Sequence, residues 1–130
     1  ILNLGTRLEE CKLAAEELKA KGVSVTVIDA RFAKPLDEEL ILKSAKEHEI
    51  MVTVEEGSIG GFGSHVKNFL AEKGVFDKGL KFRSMTLPDE FIEQDDPKKM
   101  YDKAGLNSSQ ISNKISDILF QKETIRVVEN

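Results

Sequence analysis

The sequence has few of the residues on which many functional sites and scaffolds depend. Its 130 residues include one cysteine, Cys11, together with two histidines, three prolines, one tyrosine and no tryptophan. A single cysteine cannot form an internal disulfide, and this set is too small to predict a zinc site. No apolar run approaches the roughly 20 residues that a membrane-spanning helix needs. The sequence therefore predicts neither a disulfide-stapled scaffold nor a zinc domain nor a spanning helix.

Positive charge is also scarce. The chain carries 19 Lys and Arg against 23 Asp and Glu, a net charge of −4, and its lysines are scattered among glutamates. Nucleic-acid-binding surfaces are normally basic and clustered, so nucleic acid is not an expected partner. Apolar residues make up 40% of the chain and charged residues 32%, which is typical of a folded globular domain.

Short apolar runs alternate with helical patterns along the chain. The runs at residues 1–4, 23–29, 50–55 and 80–87 are rich in Val, Ile, Leu, Met and Phe and predict buried strands. Thr6 and Glu9 form a capping box for a first helix, and Asp37 is a typical N-cap for a second, whose buried face comprises Leu40, Ile41 and Ala45. Further helices are predicted from Ser64, from Asp96-Pro97, and from Asn107 or Ser108.

This alternation predicts an α/β fold in which a mainly parallel sheet lies between two helical layers. The connections should be right-handed crossovers. If β2 lies outside β1 and β3 lies on the other side of β1, the strand order is β2-β1-β3-β4, with a crevice at the carboxyl ends of β1 and β3. We expect one domain over residues 1–122 and a mobile tail over 123–130. The chain opens inside an apparent strand, so we expect it to be part of a longer protein.

The segment from Glu55 to Ser64 contains four glycines between a strand and a helix. Such a loop could cradle a phosphate, or it could let another domain approach the backbone closely. The glycine spacing fits neither the dinucleotide fingerprint nor a P-loop, so close approach is the favoured interpretation. Glu55 and Glu56 are adjacent and should point to opposite sides, one hydrogen-bonded and one solvated, which is unsuitable for a general acid/base pair.

Other candidate residues have simpler interpretations. Cys11 lies on the buried face of the first helix, so a packed thiol is favoured over a nucleophile. Arg31 could meet a phosphate or a carboxylate, and Phe91 and Ile92 are too apolar to remain in water. The predicted interdomain or dimer interface comprises Glu55, Glu56, Gly57, Gly60, Gly61, Phe62, Gly63, Phe91 and Ile92.

Several motifs together resemble the C-terminal domain of the transketolase-like thiamine-diphosphate enzymes. They are VIDARFAKPLD at 27–37, VTVEEG at 52–57, GGFGS at 60–64 and LPDEFIEQ at 87–94. The first three resemble the β-subunits of 2-oxoacid dehydrogenases as well. The fourth, followed by Ala104-Gly105-Leu106, is most similar to 1-deoxy-D-xylulose-5-phosphate synthases. The resemblance extends from residue 1 to about residue 119.

The resemblance implies a parent enzyme that condenses pyruvate with glyceraldehyde 3-phosphate, using thiamine diphosphate and Mg²⁺. It also implies a homodimer, in the bacterial cytoplasm or the plastid stroma. The family's Gly-Asp-Gly metal signature does not occur in this sequence, so no catalytic, metal or cofactor residue is expected here. The alternatives are the corresponding domain of a 2-oxoacid dehydrogenase β-subunit, or a ligand-binding module that uses Arg31 and the glycine loop.

Overall fold

Four parallel strands form the centre of the computed structural model, which describes residues 1–57, 60–88 and 92–120. The strands are β1 (Leu2–Leu4), β2 (Ile28–Asp29), β3 (Ile50–Glu55) and β4 (Lys81–Met85). Their order in the sheet is β2-β1-β3-β4, and every neighbouring pair is parallel. The predicted α/β class and strand order are confirmed.

Five helices flank the sheet within the described residues. They are α1 (Leu8–Ala20), α2 (Glu38–Glu47), α3 (Phe62–Glu72), α4 (Pro97–Ala104) and α5 (Ser108–Phe120), with a short 3-10 turn at Val75–Lys78. The predicted N-caps of α2 and α4 are confirmed, because Asp37 accepts a hydrogen bond from the Leu40 amide and Asp96 accepts one from Lys98. No helix in the described part of the chain is both long and apolar enough to cross a membrane.

The core has two halves, one on each face of the sheet. Val52 and Val54 point into the half that α1 and α5 cover, whereas Met51 points into the half that α2 and α3 cover. Successive strand residues point to opposite faces, which explains this division. The helices therefore form the two outer layers of an α/β/α sandwich.

The predicted capping box of α1 is wrong. Arg7 is the N-cap residue, and no side chain makes a capping hydrogen bond. The Thr6 hydroxyl donates instead to Oε1 of Glu56, which lies 50 residues away in the sequence. In a capping box the hydroxyl would accept a hydrogen bond from the Glu9 amide. Because α1 begins at Leu8 with Arg7 as its N-cap, Thr6 lies one residue before the capping position.

Three predicted boundaries and one buried face also need correction. β2 is two residues long, because only Leu2 and Asn3 of the short β1 pair with it. Residues 23–27 are not part of the strand, although the Thr26 carbonyl accepts a hydrogen bond from the Ile1 amino group at 2.8 Å. β4 is shorter than predicted at both ends, and α3 begins at Phe62 rather than Ser64. Leu40 is 38% exposed, since α2 buries Ile41, Ser44 and Ala45 instead. The predicted tail lies outside the described residues.

Candidate functional site

Loops from three strands meet at the carboxyl edge of the sheet. Leu4 lies opposite Glu55, and Val54 lies opposite Met85, so β1, β3 and β4 end at nearly the same level. The chain leaves β1 toward one face and β3 toward the other, which makes this edge the topological switch point. In open α/β sheets, ligands bind preferentially at such a point.

The side chain of Glu55 caps the N-terminus of α3. Its Oε1 accepts a hydrogen bond from the Phe62 amide at 3.1 Å, and its Oε2 accepts one from the Gly63 amide at 2.6 Å. The side chain is buried, and a carboxylate at a helix N-terminus is stabilised by the helix dipole. This is the hydrogen-bonded glutamate that the sequence predicts. The amides that a phosphate would use are thus bonded to a carboxylate of the same chain, which argues against a phosphate cradle.

Gly63 allows α3 to pack closely against the sheet. A Cβ atom at this position would lie 2.6 Å from Oγ1 of Thr53 on β3 and 2.5 Å from Oγ of Ser84 on β4. Real Cβ atoms do not approach other atoms so closely, so glycine is required here by the packing within this chain. The structure therefore gives Gly63 an intramolecular role, beside the interdomain role proposed from the sequence.

Glu56 forms the centre of a second polar cluster at this edge. Its Oε1 accepts hydrogen bonds from the Thr6 hydroxyl and, at 2.5 Å, from the Tyr101 hydroxyl, and it lies 3.8 Å from Nε of Arg7. Burial opposes ionisation of this carboxyl, but the two hydrogen bonds and the Arg7 charge outweigh it and hold the pKa of Glu56 below its usual value. The prediction that one of the two adjacent glutamates is only solvated is wrong, because both side chains accept hydrogen bonds within the chain.

Arg7 and Tyr101 join α1 to α4 within this cluster. The Arg7 guanidinium lies 3.6 Å from the centre of the Tyr101 ring, and its Nη1 donates to Oδ1 of Asn107 at 3.1 Å. The hydrogen bond to Glu56, followed by burial and the charge of Glu56, raises the pKa of Tyr101. Neither Arg7 nor Tyr101 is identified by sequence reasoning. The Tyr101 contact joins positions 45 residues apart, and no local pattern marks it.

A cleft of about 550 Å³ opens beside this cluster, between the end of β4 and α4. Its lining is mostly apolar and consists of Glu56, Leu87, Pro88, Ile92, Pro97, Met100 and Tyr101. Ile92 therefore lies at the same site as Glu56, as part of the predicted interface set. Phe91, its predicted companion, lies outside the described residues.

The remaining predicted site residues divide into buried and accessible groups. Phe62 and Gly63 are buried with Glu55, whereas Gly57 and Gly60 are exposed and available to another domain. Gly61 is the half-buried N-cap residue of α3.

Two further candidates from the sequence lie away from the Glu56 cluster. Arg31 follows β2, two strands from β3 in the sheet. The Cys11 thiol is packed 3.7 Å from Oδ1 of Asn3, and burial raises its pKa to about 11. That pKa supports the predicted packed thiol.

The described residues do not fit a Mg²⁺ site. Within residues 1–57, 60–88 and 92–120, no three His, Cys, Asp or Glu side chains are grouped as metal ligands. Both oxygens of Glu55 accept backbone amides, and Oε1 of Glu56 accepts two hydroxyls. The carboxylates nearest the switch point are therefore engaged in contacts within the chain.

A comparison with protein families identifies the family of this chain. The model of the family described as "Transketolase, C-terminal domain" matches residues 1–111, which include the whole sheet, α1 to α4, and the Glu55 and Glu56 clusters. Domains of this family generally occur in transferase-like enzymes that depend on thiamine diphosphate. The match covers most of the chain, and the chain therefore belongs to the transketolase C-terminal domain family.

Proposed function

We propose that this chain is the C-terminal domain of a 1-deoxy-D-xylulose-5-phosphate synthase and that it serves assembly rather than chemistry. The parent enzyme would condense pyruvate, with loss of CO₂, with glyceraldehyde 3-phosphate. Its product would supply isoprenoid, thiamine and pyridoxal phosphate biosynthesis. Thiamine diphosphate supplies the carbanion chemistry in such an enzyme, and in this proposal other domains hold it with Mg²⁺. A homodimer, in the bacterial cytoplasm or the plastid stroma, belongs to the same proposal.

The observation that carries the assembly role is the engagement of the two adjacent glutamates. Glu55 bonds to two amides of α3, and Glu56 bonds to Thr6 and Tyr101. A general acid/base pair needs both groups within reach of one substrate, and these two are turned toward different parts of their own chain. The edge instead offers backbone at Gly57 and Gly60 for contact with another domain.

The choice of the synthase rests on sequence. The family match does not separate the synthase from the β-subunit of a 2-oxoacid dehydrogenase. The stretch at 87–94 and the Ala104-Gly105-Leu106 element favour the synthase, because they are the motifs that resemble it most closely. The ligand-module alternative is weaker, since the α3 amides are already occupied by Glu55 and Arg31 lies apart from the cluster.

The test is the substrate requirement of the full-length protein that contains this domain. We expect pyruvate to be consumed with thiamine diphosphate and Mg²⁺ only when glyceraldehyde 3-phosphate is also present, with formation of 1-deoxy-D-xylulose 5-phosphate. Oxidation of pyruvate coupled to a lipoyl acceptor, without use of glyceraldehyde 3-phosphate, would instead identify the dehydrogenase subunit.

A further inference from the structure

The described wall of the cleft beside α4 combines an apolar lining with one carboxylate. Of the seven described residues that line the cleft, six are aliphatic, aromatic, proline or methionine, and the seventh is Glu56. Its volume of about 550 Å³ lies within the range of small-molecule sites, about 300–1,000 Å³. Such sites generally have a mostly apolar wall with a few polar groups that orient the ligand. The cleft has this composition.

The carboxylate of Glu56 retains an acceptor for a ligand. Its contacts with Thr6, Arg7 and Tyr101 all fall on Oε1. Oε2 has no partner among the residues that the structure describes. Arg7 stacks on Tyr101 and lies on the Oε1 side, and Glu56 is the charged residue among the described residues of the cleft wall.

We propose that this cleft is a binding site for a small cationic ligand, whose apolar body packs against Leu87, Ile92 and Met100 and whose ammonium group donates to Glu56. A charged donor is favoured because hydrogen bonds between two ionised groups are stronger than neutral ones. A carboxylate-bearing ligand is disfavoured because its charge would face that of Glu56. The inference concerns this chain by itself and does not depend on the proposed function.

The probe for this site is 2-phenylethylammonium. Two matched compounds keep the phenyl group and change the polar end, namely neutral 2-phenylethanol and anionic 3-phenylpropanoate. The methyl groups of the methionines provide the readout by NMR, because Met100 lines the cleft whereas Met51 is buried in the core half beneath α2 and α3. For a ligand of this size we expect a Kd on the order of 1 mM.

We expect the ammonium probe to shift the Met100 methyl signal and to leave that of Met51 in place. The alcohol should bind about threefold to tenfold more weakly, and the propanoate more weakly still. Glu56→Gln should weaken ammonium binding by about the same factor and leave alcohol binding nearly unchanged. The matched control is Glu72→Gln, at an exposed position on α3. An unshifted Met51 signal in each variant reports that the core is intact.

A second variant tests the apolar wall separately. Leu87→Ala removes apolar contact area without changing charge, so it should weaken the ammonium and the alcohol by similar factors. The proposal is overturned if 10 mM ammonium probe leaves Met100 unshifted, or if the alcohol binds as tightly as the ammonium. It is equally overturned if Glu72→Gln reduces ammonium binding as much as Glu56→Gln does.

Discussion

Replacement of Gly63 by alanine tests the close contact between α3 and the sheet. Glycine within a helix normally costs about 0.5–1 kcal/mol relative to alanine, so propensity alone predicts that Gly63→Ala stabilises the protein. The added Cβ would lie 2.6 Å from Oγ1 of Thr53 and 2.5 Å from Oγ of Ser84. Ser84 is exposed and can rotate away, whereas Thr53 is fully buried and its β-branched side chain is restricted at χ1.

The structure therefore predicts that Gly63→Ala destabilises the protein, whereas helix propensity alone predicts that it stabilises the protein. Overpacking of a well-filled interior costs about 1–3 kcal/mol. After subtraction of the propensity gain, we expect Gly63→Ala to lower the free energy of unfolding by about 0–2.5 kcal/mol, with a central value of about 1 kcal/mol. The further change Thr53→Ala removes the obstructing atoms, so the double variant should lose less stability than the sum of the two single changes.

Urea unfolding followed by circular dichroism measures this effect. Asn68→Ala is the matched control, because Asn68 is exposed on the same helix and its replacement should be neutral or slightly stabilising. If Gly63→Ala stabilises the protein as Asn68→Ala does, the close contact is not present. Additivity of Gly63→Ala and Thr53→Ala would show that Thr53 is not the obstacle.

Three further predictions concern the Glu55 and Glu56 clusters and the thiol. Glu55→Ala should lower the free energy of unfolding, measured in urea, by about 2–3 kcal/mol, because it leaves two amides of α3 without their charged acceptor. Glu55→Gln should recover part of that loss. Equal losses for the two variants would contradict a charge-assisted cap. The folded-state pKa of Glu56 lies below the usual glutamate value of 4.5, so its contribution to stability is present above about pH 4.5 and is lost as the pH falls through the folded pKa. Tyr101→Phe should reduce this acid-dependent loss between pH 6 and pH 3, and an unchanged pH dependence of the urea midpoint would count against it. Cys11 is buried and its thiol pKa is about 11, so a disulfide reagent at pH 8 should label it at a rate that rises with urea, and rapid labelling of the native protein would disprove its packing.

Local signals predicted the parts of the fold that local chemistry determines. Asp37 and Asp96-Pro97 mark helix starts because an N-cap acts within three residues of itself. The alternation of strands and helices predicted the parallel sheet, and the strand order expected for β2 and β3 on opposite sides of β1 is the one observed. The sequence also predicted that one of the two adjacent glutamates is hydrogen-bonded, and Glu55 is bonded to two amides of α3.

The contacts that define the site were beyond such reasoning. Thr6 has a valid local partner in Glu9, yet its hydroxyl binds Glu56, and only the folded sheet edge brings these two together. Tyr101 reaches Glu56 because α4 packs across that edge. No pattern in the sequence of α4 indicates that it lies there. The need for glycine at position 63 likewise depends on β3 and β4 lying beneath α3. Local patterns thus located the loop, and tertiary packing determined what its side chains do.

The most direct test of the assembly role is titration calorimetry of the 130-residue chain with thiamine diphosphate in the presence of Mg²⁺. Both carboxylates at the switch point are engaged within the chain, so we expect no heat of binding at cofactor concentrations up to about 1 mM, at which any site with micromolar affinity would be saturated. Micromolar binding that requires Mg²⁺ would show that this domain itself holds the cofactor and would contradict the account.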